Sequence, residues 1–93
     1  MRNPALLQRY RVAKDALRKT LGTNIRRERT LLGISQHELG ARCGLHPRTI
    51  ARIEAGEIGI RPETLARLQR AIGCTFQNGT IEKPMHEGTE RRQ

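Results

Sequence analysis

The sequence predicts an all-α domain of four to five helices, with a helical N-terminal extension and a short C-terminal β-hairpin or strand. Three observations predict it. Apolar residues recur three and four apart from Leu6 to Ile72. Glycines punctuate those runs at Gly33, Gly44, Gly56 and Gly73, where a helix end favours the left-handed conformation. Pro4, Pro47 and Pro62 sit where helices can open, because proline suits the first helical position. With 93 residues and 35% apolar content, one modest core is what such a chain can bury.

Asn3 can cap the helix that Pro4 begins. Leu6, Tyr10, Ala13, Leu17, Leu21 and Ile25 then form one apolar stripe. Gly22 falls within it and costs about 1 kcal/mol relative to alanine. Residues 4–20 are therefore either a separate helix or the front half of a long one ending near Leu32, stopped by Gly33. Ser35-Gln36-His37-Glu38 has the form of a capping box, in which Ser35 accepts from the Glu38 amide and the Glu38 side chain returns the bond. A short helix follows to Cys43, with Leu39 and Cys43 on one face and Gly44 at its end. His46-Pro47 opens a third helix, which Gly56 closes; Ile50 and Ile53 face inward, while Arg48, Ala51, Arg52 and Ala55 lie opposite. After a loop containing Gly59, Pro62-Glu63 opens a fourth helix with an acid in its first turn. Leu65, Leu68 and Ile72 form its buried face. The pattern then changes: Cys74–Gln77 and Thr80–Lys83 flank Asn78-Gly79, a hairpin signal. Residues 84–93 are polar and expected to be disordered.

The charge balance points to an acidic partner. Lys and Arg number 18 against 9 Asp and Glu, a net charge of +9, and 15 of the 18 bases are arginine. The charge is +5 over residues 1–20, +4 over 21–73 and zero over 74–93. Arginine suits bidentate contact with phosphate and guanine, so this footprint on a small domain points to nucleic acid. The aromatic residues are Tyr10 and Phe76, too few for the stacking platforms of single-strand binders or for a ring-lined ligand pocket.

Other classes find little support. Cys43 and Cys74 are 31 positions apart, and His37, His46 and His86 lack metal-ligand spacing, so no metal is expected. Both cysteines read as small apolar residues in a reducing compartment. There is no membrane-length apolar run, and residues 1–9 lack the apolar stretch of a signal peptide, so a cytoplasmic location is expected. No Ser/His/Asp or Cys/His set shares a face and no phosphate-cradling glycine loop appears, so neither an enzyme nor a cofactor is expected.

Two short helices joined by a tight turn at Gly44 make a helix-turn-helix pattern. The chain resembles the XRE family of phage Cro and repressor proteins over about residues 21–73. The resemblance is carried by Leu21-Gly22, Ile25-Arg26, Arg29, Gly33-Ile34-Ser35-Gln36, Glu38-Leu39-Gly40 and Cys43-Gly44-Leu45. It continues through Thr49-Ile50, Arg52-Ile53-Glu54, Gly56, Glu63-Thr64-Leu65 and Leu68. It implies a lambda-repressor-like fold and double-stranded DNA as the partner. It further implies that Gln36 holds a DNA phosphate at a helix N-terminus, where free amides and the dipole favour an anion. Arg48 and Arg52 match the base-reading positions, and each can bind guanine O6 and N7 with two hydrogen bonds. Thr49, His46 and Arg61 join the DNA-contacting set, Thr49 as a phosphate contact and His46 as either the helix cap or a phosphate contact. Arg29 and Glu54 resemble the family's partly buried ion pair between the first and third helices. Three features depart from the family. Gly40 stands where alanine is usual and should weaken the second helix slightly. Pro47 removes a donor from the recognition helix. β structure after Gly73 replaces a usual fifth helix.

The chain thus reads as a basic helical extension over 1–20, a DNA-binding unit over 21–73, a hairpin or strand over 74–83 and a tail over 84–93. The function expected is a repressor-like transcriptional regulator binding operator DNA as a homodimer. Residues 74–83 are expected either to form the dimer contact, helped by Leu6, Tyr10 and Leu17, or to cover the monomer's own core. The alternative is an antitoxin that binds a toxin or other regulator through its extensions and regulates itself through the same domain.

Overall fold

Asn3 opens the first helix through its own side chain, whose oxygen accepts from the backbone N–H of Ala5 at 2.9 Å and of Leu6 at 3.3 Å. In the computed structural model, which describes residues 3–77 and 80–84 with side chains through Cys74, this helix (α1) runs unbroken over Pro4–Leu31. Residues 4–20 are therefore the front half of a long helix, and Gly22 does not interrupt it. The reason for Gly22 lies in packing. A Cβ there would run into the Ile53 carbonyl oxygen and lie 2.8 Å from that of Glu54, so the glycine lets another helix end rest directly on α1.

Gly33 turns the chain with φ 74° and leads to α2 (Gln36–Cys43). The Ser35 side chain accepts from the Glu38 amide at 3.0 Å, as the capping-box pattern suggests. The reciprocal half of that pattern is a correction: the Glu38 carboxylate binds Arg42 at 3.2 Å, one helical turn on. Gly44, with φ 71°, ends α2, and the Leu45 amide donates back to the Gly40 carbonyl at 2.8 Å. Gly40 also takes a different meaning in space. A Cβ there would collide with the Leu45 carbonyl, so glycine is what allows the turn to fold back this tightly. Helices α3 (Pro47–Glu54) and α4 (Pro62–Ile72) complete the helical part, each with proline in its first turn.

The four helices close over Ile25, Ile34, Leu39, Cys43, Ile50, Ile53, Leu68, Ile72 and Cys74. Leu65, expected in the core with Leu68 and Ile72, is half-buried. Burial pushes the Cys43 thiol up, and it pushes the Cys74 thiol from 9.0 to about 11, with help from the Glu28 charge. Both cysteines act as neutral core residues. After Gly73, β1 (Cys74–Gln77) and β2 (Thr80–Pro84) run antiparallel, with Phe76 opposite Ile81 and Gln77 opposite Thr80. The Asn78-Gly79 turn and the expected disorder beyond Pro84 lie outside the described residues.

Gly22→Ala separates two effects of opposite sign. Helix propensity alone would stabilise by about 1 kcal/mol. Forcing a methyl group against the α3 carbonyls costs about 1–3 kcal/mol, as overpacking does. Because two backbone oxygens stand in the way, the variant should be less stable in thermal unfolding. Its Tm should fall by about 4–8 °C for each kcal/mol lost. An unchanged or raised Tm would show that α1 and α3 do not touch this closely.

Candidate nucleic-acid interface

A buried carboxylate organises the site. Glu54, the last residue of α3, has a side chain only 3% exposed, and charges are rarely left there without partners. Arg29 of α1 meets it with a two-pronged grip: Nε donates to Oε2 at 2.6 Å and Nη2 to Oε1 at 3.1 Å. The third nitrogen, Nη1, donates to the Ile34 carbonyl at 2.8 Å and so fixes the loop before α2. The hydrogen bond to Glu54, opposed by burial but aided by the carboxylate charge, holds the Arg29 guanidinium above its ordinary pKa. Gln36, first residue of α2, adds a third donor, Nε2 to Oε1 at 3.0 Å. One carboxylate therefore joins α1, α2 and α3.

That frame presents the outer side of α3. Ile50 and Ile53 are buried, so Arg48 and Arg52, four apart, share the exposed face. Arg48 has no acidic partner among the described residues. Arg52 Nε lies 3.5 Å from Glu57 Oε1, with both side chains more than half exposed. His46 precedes the helix as its cap: Nδ1 accepts from the Arg48 amide at 3.0 Å. That bond requires an unprotonated Nδ1, so the ring proton sits on Nε2, the far side of the ring. Thr49 is half-buried, and its amide donates to the His46 carbonyl at 2.9 Å. Arg61 occupies the cap position of α4, exposed and making no side-chain cap bond.

The structure thus gathers His46, Arg48, Thr49 and Arg52 around α3 and holds Gln36 beside them through Glu54. Arg61 stands at the start of α4. The Gln36 side-chain amide is engaged inward, which leaves its position at the α2 N-terminus as what it offers an anion. Sequence reasoning missed Arg26. It is exposed and lines a notch of 160 Å³ with Arg29, Gln36, Ala51, Glu54 and Ala55. Arg29 and Glu54 neutralise one another there, so Arg26 supplies the uncompensated charge. The signal was available: Arg26 is three residues before Arg29, hence on the same side of α1. Among the described residues, no group of three or more His, Cys, Asp or Glu could hold a metal, and no helix is long and apolar enough to cross a membrane.

A helix-turn-helix family model matches residues 25–77. Endothelial differentiation-related factor 1 of rat and of mouse is 28% identical over 78 residues, 84% of this chain and 53% of theirs. The human protein is 28% identical over 74 residues, 80% of this chain and 50% of its own. The chain therefore spans about half the length of these curated relatives. Among solved structures, the clp gene regulator ClgR from Corynebacterium glutamicum is similar, with a TM-score of 0.62, 29% identity and 63% of each chain covered.

The burial of the Arg29–Glu54 pair has a measurable consequence. Removing one member of such a pair strands the other charge and costs about 3–5 kcal/mol, whereas an exposed pair is worth at most about 1 kcal/mol. Arg29→Met and Glu54→Gln, made singly and together, should give a coupling above about 1 kcal/mol in denaturant unfolding. A cycle without coupling would mean that the pair is solvated.

Proposed function

The chain belongs to the XRE-type helix-turn-helix family, and from that premise we propose that it is a cytoplasmic, repressor-like transcriptional regulator that binds operator DNA. The observation that carries this reading is the exposed face of α3. It holds two arginines four apart, Arg48 and Arg52, on a helix anchored from behind by Ile50, Ile53 and Glu54. A helix of this kind fits the major groove, where arginine reads guanine through O6 and N7. Arg26, Arg61, Thr49, the α2 N-terminus at Gln36 and the outer nitrogen of His46 are the proposed backbone contacts. Phosphate contacts set register and affinity, while base contacts set sequence. The +9 charge supplies the long-range attraction.

Selection of duplexes from random DNA, followed by binding titrations, tests this. With about six phosphate contacts, affinity should fall about a thousandfold between 50 and 200 mM salt. Arg52→Ala should cost about 1–3 kcal/mol on the selected site and relax one base preference. Arg26→Ala should weaken all duplexes alike. Affinity that stays flat with salt, or an Arg52→Ala protein that binds the selected site unchanged, would overturn the reading.

We further propose that the regulator acts as a homodimer, its two α3 helices about 34 Å apart on one side of the duplex. Residues 74–83 are the proposed contact: a two-stranded pairing is marginal alone, and an open strand edge can pair with its own copy across a two-fold axis. Ending the chain after Gly73 should then give a monomer in sedimentation. A truncated chain as dimeric as the full one places the contact elsewhere.

A further inference from the structure

Only part of α1 serves the core. Ile25 is fully buried and Leu21 half-buried, but the same stripe continues outward through Leu17, Tyr10 and Leu6, which are 44%, 54% and 51% exposed. Where the stripe leaves the core, the loop between α3 and α4 rises beside it. Leu17 and Leu21 on one side and Ile58, Gly59 and Ile60 on the other line a groove of 180 Å³. Lys14 and Arg18 line its cationic side. Arg18 is unusual. Its Nε is buried yet makes no hydrogen bond among the described residues, and its Nη1 reaches Asp15 only at 3.7 Å. A buried donor without an acceptor is costly to keep, so each such group in a folded protein calls for an explanation.

The charge around the groove narrows what can fill it. Residues 4–20 carry Arg9, Arg11, Lys14, Arg18 and Lys19 against the single acid Asp15. A second copy of this helix would set cations against cations. A DNA backbone would match the charge but leave Leu6, Tyr10 and Leu17 in water. A flat lipid surface would not enter a groove between a helix and a loop. An acidic segment with apolar anchors answers all three features together. We infer that the groove and stripe of α1 dock an acidic amphipathic segment of a protein partner. One apolar side chain seats among Leu17, Leu21, Ile58 and Ile60, and a carboxylate accepts from Arg18 and Lys14. The partner is a helix-in-groove ligand, with further anchors on Tyr10 and Leu6. The inference is independent of DNA binding, because the groove uses none of the residues proposed to touch the duplex.

The test uses the full chain without DNA and, as probe, a synthetic helical peptide of about 16 residues, roughly four turns. Its leucines follow the three-four spacing and its other positions are mainly glutamate. Backbone and arginine side-chain resonances are followed by NMR, and affinity by fluorescence anisotropy. The expected result is perturbation confined to residues 6–21 and 58–60, with a shift of the Arg18 Nε–H signal as it gains an acceptor. A scrambled peptide of the same composition should bind about tenfold more weakly, and a lysine-for-glutamate peptide should not bind. Leu17→Ser and Arg18→Gln should each lose roughly fivefold in peptide affinity. Leu17→Ser should stay folded at the assay temperature and keep the parent's affinity for duplex DNA. Four results would each overturn the inference. They are equal binding of the scrambled peptide, perturbation centred on α3, concentration-dependent shifts of residues 6–21 without peptide, and displacement of the peptide by phosphatidylserine vesicles. Loss of peptide binding leaves the operator reading intact, and a failed operator titration leaves the peptide result intact.

Discussion

The Glu54 carboxylate is the constraint on which the geometry of the domain rests. A charge so deeply placed is tolerable only with full hydrogen bonding, and it has three donors from two other helices. Those donors are also what position α3. Arg29 comes from α1, Gln36 from the first residue of α2, and the remaining nitrogen of Arg29 ties down the Ile34 carbonyl between them. The apolar core beneath has few large side chains, the fully buried ones being Ile25, Leu39, Ile50 and Leu68. Packing of that size fixes distances between helices, but it resists rotation of a two-turn helix weakly. The directional bonds at its C-terminal end supply the orientation that greasy contacts lack.

Glycine permits the same economy in the backbone. Gly22 and Gly40 lie inside helices, where glycine is unfavourable by intrinsic propensity. Each is explained by a carbonyl that would collide with a methyl group: Ile53 above Gly22, and Leu45 beside Gly40. The first brings α3 down onto α1, close enough for Arg29 to reach Glu54. The second shortens the turn between α2 and α3 to Gly44, Leu45 and His46. Local helix stability is given up at two positions so that three helix ends can meet.

These two glycines also mark what a linear reading captures and what it does not. Helix ends were legible because their chemistry is local. Asn3, Ser35 and His46 cap, Pro4, Pro47 and Pro62 open, and Gly33, Gly44 and Gly73 close, each within one turn of the residues it affects. The family pattern likewise marked Arg29 and Glu54, 25 residues apart. What propensity misread was tertiary. Gly22 and Gly40 look like weak points until the opposing carbonyls are in place. Glu38 completes a capping box on paper, but Arg42 at i+4 offers it a charged partner. Arg26 carries only a spacing signal, three residues before Arg29; it gains meaning from lying beside Ala51 and Ala55 at the C-terminal end of α3. The continuity of α1 through residue 20 was undecidable for the same reason, since the benefit that outweighs Gly22 comes from α3.

On the proposed reading, a helix of eight residues opened by a proline has to discriminate sequences. Pro47 contributes no donor, and Ala51 is too short to reach far, so long-range reach rests on Arg48 and Arg52. The ion pair with Glu57 does not commit Arg52. Its contact is 3.5 Å between side chains 53% and 59% exposed, and exposed pairs are worth at most about 1 kcal/mol. A bidentate guanine contact is worth about 1–3 kcal/mol of discrimination. The larger quantity wins, so on the proposed reading Glu57 parks the guanidinium near its working position without holding it back. It also makes non-specific contact slightly less favourable, because a lone phosphate must displace a carboxylate for a smaller gain. A helix with two such arginines cannot specify a long site by direct readout. On the same proposed reading, the rest of the discrimination comes from groove shape and from the spacing that the proposed second subunit would impose.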